Sequence, residues 1–306
     1  MKNLIKGIDS IRTMINKPRR QNIILQNRVT WNTLCSSLDT IEDTSHAIGE
    51  YISLSNNNYS TGFSYVIVYG VMQAMFLQQD AVIHIASSLG NNLALDDELK
   101  KIREIRNSST GHPVRDRGDN KSFNYIQHCG MTHLKFRLVS YCPNKSDPTF
   151  SDIDILKLID KQKEIISKYI NDLILFLEKE EKTHKEEFMN TKLKAYFSHF
   201  NYNIGKVYEC ISNIDYKQLS LINLNEIVSN IEKAKSELNK RSLLGNVPGI
   251  EYNLEEINYP INKLQSYFND EIKLHDKEIK ILIYFIHKKT EELIRMFEEI
   301  DNDYCE

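Results

Sequence analysis

Glycine and proline are scarce in this chain, 11 and 6 among 306 residues, which disfavours the turn-rich sandwiches and barrels that depend on them. Ile, Leu, Lys, Glu and Asn abound instead, a balance that favours long helices. Positive charge is not in excess either. The formal net charge is −3, so any contact with nucleic acid has to come from a local patch rather than from a chain basic throughout. The cysteines, Cys35, Cys129, Cys142, Cys210 and Cys305, are odd in number and lack the paired spacing of a zinc ribbon. With no secretory signal read at residues 1–17, an amphipathic stretch, they are expected to be reduced thiols of a cytoplasmic protein. The apolar stretch 281–286 is far short of the roughly 20 residues that cross a bilayer, and no membrane partner is expected. A Walker motif, a Gly-rich phosphate loop and a nucleotidyltransferase signature are all missing, and no fixed-period repeat suggests a solenoid.

What is present is a chain with 41% hydrophobic residues, enough for a sizeable core and long enough for two domains. Leu4, Ile5, Ile8, Ile11 and Ile15 fall at helical spacing before Lys17-Pro18-Arg19-Arg20 interrupts the pattern. Val29, Leu34, Leu38, Ile41, Ile48 and Ile52 predict a second helix. The run from Phe63 to Leu89 is apolar over most of its circumference, which predicts a central helix packed on several sides. Asp96 is placed as the N-cap of a short helix buried through Leu99, Ile102 and Ile105 and ending near Gly111 and Pro113. Phe123 and Tyr125, then Leu134, Phe136 and Leu138, alternate with polar neighbours on either side of Gly130, predicting a small hairpin at about 122–141. Helical pattern resumes from Phe150 to Phe197, with the charged run 178–187 as a solvated face. Further helices are expected at about 221–243 and 251–300, on either side of the loop 244–249. The expected fold is all-α, a helical domain over 1–195 with the hairpin inserted, followed by a C-terminal helical region over 196–306.

Residues 103–113 read Arg-Glu-Ile-Arg-Asn-Ser-Ser-Thr-Gly-His-Pro. Six residues of ideal helix turn a side chain through about 600°, leaving His112 about 120° from Arg106. Gly111 allows the chain to leave the helix and Pro113 disfavours helical geometry at His112, so the imidazole could swing back toward Arg106. An imidazole with a pKa near neutrality could deprotonate a ribose 2′-hydroxyl or protonate a leaving 5′-oxygen. Arg106 would grip the scissile phosphate bidentately and neutralise growing charge, while Asn107 could orient the imidazole or hold the phosphate. Residues 100–121 carry seven cationic side chains against three anionic, a patch of +4. Lys101, Arg103, Arg115, Arg117 and Lys121 are the candidate RNA contacts within it. Upstream, Tyr69, Gln73, Gln78, Gln79 and Asp80 interrupt the apolar run. Such polar groups need partners. Asp80 is matched with Arg106, either as an ion pair that positions the helix or as a catalytic support, with Gln79 beside it. His112, His128, Cys129, His133 and Cys142 lie close in sequence, but they fit no standard zinc spacing, and a hairpin would project His128 and Cys129 to opposite faces. No metal or other cofactor is expected.

The segment Arg106-Asn107 with His112 resembles the motif of the HEPN family, in which Arg followed by a polar residue precedes a His by such an interval. Gln78-Gln79-Asp80 also looks like the corresponding helix of that family, and the resemblance covers about 1–195. It implies a HEPN-like helical bundle, metal-independent endoribonuclease activity in a toxin or antiphage-defence effector, and a homodimer with two motifs facing one cleft. RNA is then the partner, with an antitoxin or defence complex as another. The competing reading is a non-catalytic helical RNA-binding or protein-interaction subunit of a defence complex.

Overall fold

A computed structural model describes residues 2–115, 121–143, 147–212, 214–245 and 248–305. In chain order it contains α1 (Lys2–Ile15), α2 (Pro18–Leu25), α3 (Arg28–Ser53), α4 (Thr61–Ser88) and α5 (Asp97–Arg106). A sheet then follows, formed by β1 (Val114–Arg115), β2 (Ser122–Ile126), β3 (Lys135–Tyr141) and β4 (Thr149–Asp154). The remaining helices are α6 (Ile155–Phe188), α7 (Phe200–Glu209), α8 (Lys217–Lys240), α9 (Pro248–Phe268) and α10 (Asp276–Asp303). The protein is mainly helical with a small β insertion.

The chain divides into two compact units, one of Met1–Ile15 with Asn27–Leu177 and one of Asn16–Gln26 with Glu178–Glu306. This differs from a linear division at 195: the α2 segment belongs with the second unit, and the passage between units falls within α6. The sequence reads Lys17-Pro18-Arg19-Arg20 as an interruption, yet Pro18 starts a helix there. Proline suits a first helical position, where its missing N–H would have no intrahelical acceptor. Arg19 and Arg20 each reach Glu180, at 2.8 and 2.5 Å, which ties α2 to its own unit.

In the first unit α4 lies against α3 and α5. Its Val68, Met72, Met75, Val82 and Ile85 are buried, as are Leu34, Leu38, Ile41 and Ile48 of α3. Val29 and Ile52, expected in the same stripe, are exposed at the helix ends. Among the described residues α4 is the one helix long and apolar enough to cross a membrane, and half of that stretch is buried; it is a longer apolar segment than 281–286. Its other side leaves Phe63, Val66, Tyr69 and Leu77 exposed, so α4 is not packed all round as its apolar run predicts; the packed side carries buried amides. Gln78 donates to Ser45 Oγ (3.2 Å), Gln79 to Gln162 Oε1 (2.7 Å), and Gln162 to Gln78 Oε1 and Met75 O (both 3.0 Å). This chain of amides joins α3, α4 and α6 and satisfies groups that burial would otherwise leave costly.

The sheet is antiparallel in the order β1-β2-β3-β4. The predicted hairpin is β2 paired with β3, Phe123 opposite Tyr141 and Tyr125 opposite Val139. Flanking strands β1 and β4 widen it, and Phe150, expected in a helix, lies on β4.

The second unit has its own core, including Leu193, Leu224, Leu238, Leu264, Phe268 and Phe297. A turn at 269–275 divides the helical region expected over 251–300 into α9 and α10, with Asp270 at φ +63°. Arg241 is fully buried there, bonded to Glu237 (3.2 Å) and to the Thr191 carbonyl, with its guanidinium over the rings of Phe188 and Tyr304. His184 contacts the Tyr304 hydroxyl at 2.8 Å, and burial with Arg19 nearby pushes its pKa down to about 4.

Candidate functional site

The candidate site is built where α5 ends. Asp96 caps the helix by accepting from Glu98 N (2.8 Å), and Leu99 and Ile102 seat it. Of the residues that follow, Ser109 and Thr110 compete for backbone groups. Ser109 Oγ donates to Ile105 O (2.7 Å) and Thr110 Oγ1 to Arg106 O (3.1 Å). The helix widens into one π turn, Asn107–Gly111, closed by His112 N donating to Asn107 O at 2.6 Å. His112 then leaves helical geometry at φ −132°, ψ 75°, outside the α region that a following proline disfavours. The chain thus leaves helical geometry just past Gly111, where the Gly111 and Pro113 pair predicts. A wider turn carries it there, a feature often found at functional positions.

Arg106 is held on three sides. Its Nη2 donates to Gln73 Oε1 (2.5 Å), its Nη1 to Asn107 Oδ1 (2.9 Å), and its guanidinium carbon lies 4.4 Å from the Phe76 ring centre. Nε is buried and has no hydrogen-bond partner among the described residues. Arg103, one turn earlier, shares the same ring at 4.6 Å, donates through Nε to Gln79 Oε1 (2.8 Å) and pairs with Asp80. Asp80 thus pairs with Arg103 rather than Arg106. Gln73, Phe76 and Asp80 lie at i, i+3 and i+7 on α4, so one face of that helix meets both arginines. Two guanidiniums and one carboxylate leave this cluster at +1.

Gly111 backs directly onto the guanidinium: a Cβ there would stand 2.6 Å from Arg106 Nη1 and 3.4 Å from Asn107 Oδ1. We expect Gly111→Ala to displace the flexible end of Arg106 while costing at most about 1 kcal/mol of stability. Thermal unfolding paired with an assay of RNA cleavage checks this; unchanged cleavage would show that the position of this guanidinium is unimportant. Beyond the turn, Pro113 O accepts from Asn124 N (2.7 Å) and Asn124 Nδ2 (3.0 Å), fixing the exit from the site to β2. His112 itself is exposed.

The other candidates are scattered. Lys101 is exposed and paired with Glu98 at 2.6 Å; Arg103 belongs to the internal cluster rather than to an open basic stripe. Lys121 is exposed just before β2, Arg115 lies on β1, and Arg117 falls outside the described residues. His128 stacks against Tyr65 in the turn after β2 rather than on a strand. His133 is buried edge-on to Tyr59. Among the described residues no three His, Cys, Asp or Glu side chains gather as metal ligands would. Sequence reasoning passed over Phe76, Asn124 and Gln162. Phe76 alone had a signal, its position between Gln73 and Asp80 on one helical face. No family model, curated protein or solved structure matches this chain.

Proposed function

We propose that this chain is a metal-independent endoribonuclease of the HEPN type, a cytoplasmic toxin or antiphage-defence effector acting as a homodimer. The observation that carries the reading is the guanidinium of Arg106, fixed by Gln73, Asn107 and Phe76 at the π turn that ends at the exposed His112. Two of its five donors are used and Nε is buried, which leaves one N–H on each Nη as capacity for a phosphate. The ribose 2′-oxygen attacks phosphorus, the 5′-oxygen leaves, and the proton lost from one is returned to the other. One His112 serves as base or as acid; a second copy of the chain supplies the other group. Arg106 stabilises the charge on the phosphorane oxygens, and Asn107 holds Arg106 in place.

Since the ribose supplies its own nucleophile, the rate should be the same with and without EDTA. Products should carry a 2′,3′-cyclic phosphate or 3′-phosphate and a free 5′-hydroxyl, and a 2′-deoxy substitution at the cut site should block cleavage. A 5′-phosphate, or activity lost to EDTA and restored by a divalent ion, would assign the cut to metal-activated water.

The engagement of Arg103 with Gln79 and Asp80 favours a second reading, a non-catalytic RNA-binding or interaction subunit in which the motif seats α5 on α4. Retained RNA binding with no single-turnover cleavage identifies it.

A further inference from the structure

Strand pairing decides which side chains share a face of the sheet, because directly opposed residues point the same way and every second residue repeats the direction. Val114, Phe123 and Tyr141 form one such row; Tyr125, Val139 and Phe150 form the next. The opposite face carries Phe136, Leu138 and Ile153, all buried. The first face is turned outward. Tyr125 is 57% exposed and Phe150 62%, and Phe123, Tyr141 and Val114 are open as well, with Val139 buried between them. Phe123 and Tyr141 lie 6.4 Å apart with their rings tilted by 33°. A cluster of this size at the surface calls for a partner.

Its chemistry specifies which. Four of the six residues are aromatic, and an antiparallel sheet that presents rings to solvent offers π faces on which unpaired bases stack. The carboxylates on this face are neutralised: Asp152 by Arg137 at 2.6 Å and Asp154 by Lys135 at 3.2 Å. Anionic phosphate therefore meets no uncompensated negative charge among the described residues of the strands. Of the cations in the stretch leading into the sheet, Lys100, Lys101 and Arg103 are already paired with Asp97, Glu98 and Asp80, while the exposed Lys121 directly precedes β2. The face also adjoins the candidate site, since Val114 stands two residues after His112 and Asn124 of β2 grips Pro113 through two hydrogen bonds.

We propose that this outward face is a base-stacking platform for single-stranded RNA, which holds the strand beside His112. The placement rests on reading the π turn as an RNA-cleaving site, whereas the binding itself is tested separately. Fluorescence anisotropy with a short single-stranded 2′-O-methyl oligoribonucleotide, which cannot be cut through its 2′-oxygen, reads the platform alone. Tyr125→Ala and Phe150→Ala should each weaken binding about tenfold, within the range for loss of one stacking contact. Tyr125→Phe should retain affinity, and the matching duplex should bind less well than the single strand. Circular dichroism checks that the variants stay folded, as expected for exposed side chains. Unchanged affinity in both alanine variants overturns the proposal, and if these variants also convert a dimer into a monomer on sedimentation, the face is a self-association surface. Equal binding of duplex and single strand overturns it too. Because the probe is uncleavable, a His112→Ala variant that still cuts RNA would remove the catalytic reading without touching this result.

Discussion

His112→Ala should lower RNA cleavage by about 10²–10⁴-fold, the usual contribution of a positioned general acid or base, while changing stability by no more than about 0.5 kcal/mol. The two expectations differ because of where the residue sits. Its side chain is exposed, its backbone angles suit alanine, and the contact that closes the π turn is made by its backbone N–H, which the substitution keeps. Single-turnover cleavage of total RNA and tRNA, followed beside thermal unfolding, separates chemistry from folding. Wild-type rates in the variant, with contaminating nuclease excluded, would end the catalytic assignment.

Arg106→Lys should reduce the cleavage rate by about 10²–10³-fold, the loss seen when a preorganised donor to a developing oxyanion is removed, with a much smaller loss of RNA affinity. Lysine keeps the charge and some attraction to the Phe76 ring. It cannot donate along the two fixed directions that now reach Gln73 and Asn107, so the planar fork and its orientation are both lost. Anisotropy on uncleavable RNA measures the charge contribution, and the single-turnover rate measures the fork. Equal rates in the two proteins would mean that Arg106 acts only as a charge or as a structural strut.

Much of the fold is written locally. The α4 run forms one long helix, although apolar side chains along one side of it stay exposed, and Asp96 caps α5 as its side chain and position predict. Alternation marked the hairpin. Other features were hidden because local pattern is ambiguous: Pro18 reads equally as a breaker or as a first helical residue, and Phe150 lies in a short run that suits a strand or the start of a helix. The turn between α9 and α10 carries no glycine, and Asp270 adopts a positive φ there instead.

The candidate site divides along the same line. Sequence alone determined where α5 stops, because Ser109, Thr110, Gly111 and Pro113 act on backbone groups within one turn of themselves. It also determined that Arg103 and Arg106 share a helical face, since they lie three residues apart. Only the tertiary structure decided that Asp80 takes Arg103 and Gln73 takes Arg106; two arginines one turn apart are equivalent until a second helix is docked at a particular height. The sheet teaches the same lesson. A period of two puts Phe123 and Tyr125 on one face, but whether that face is buried or turned to solvent depends on which side the helices pack, and no spacing within the strand records it.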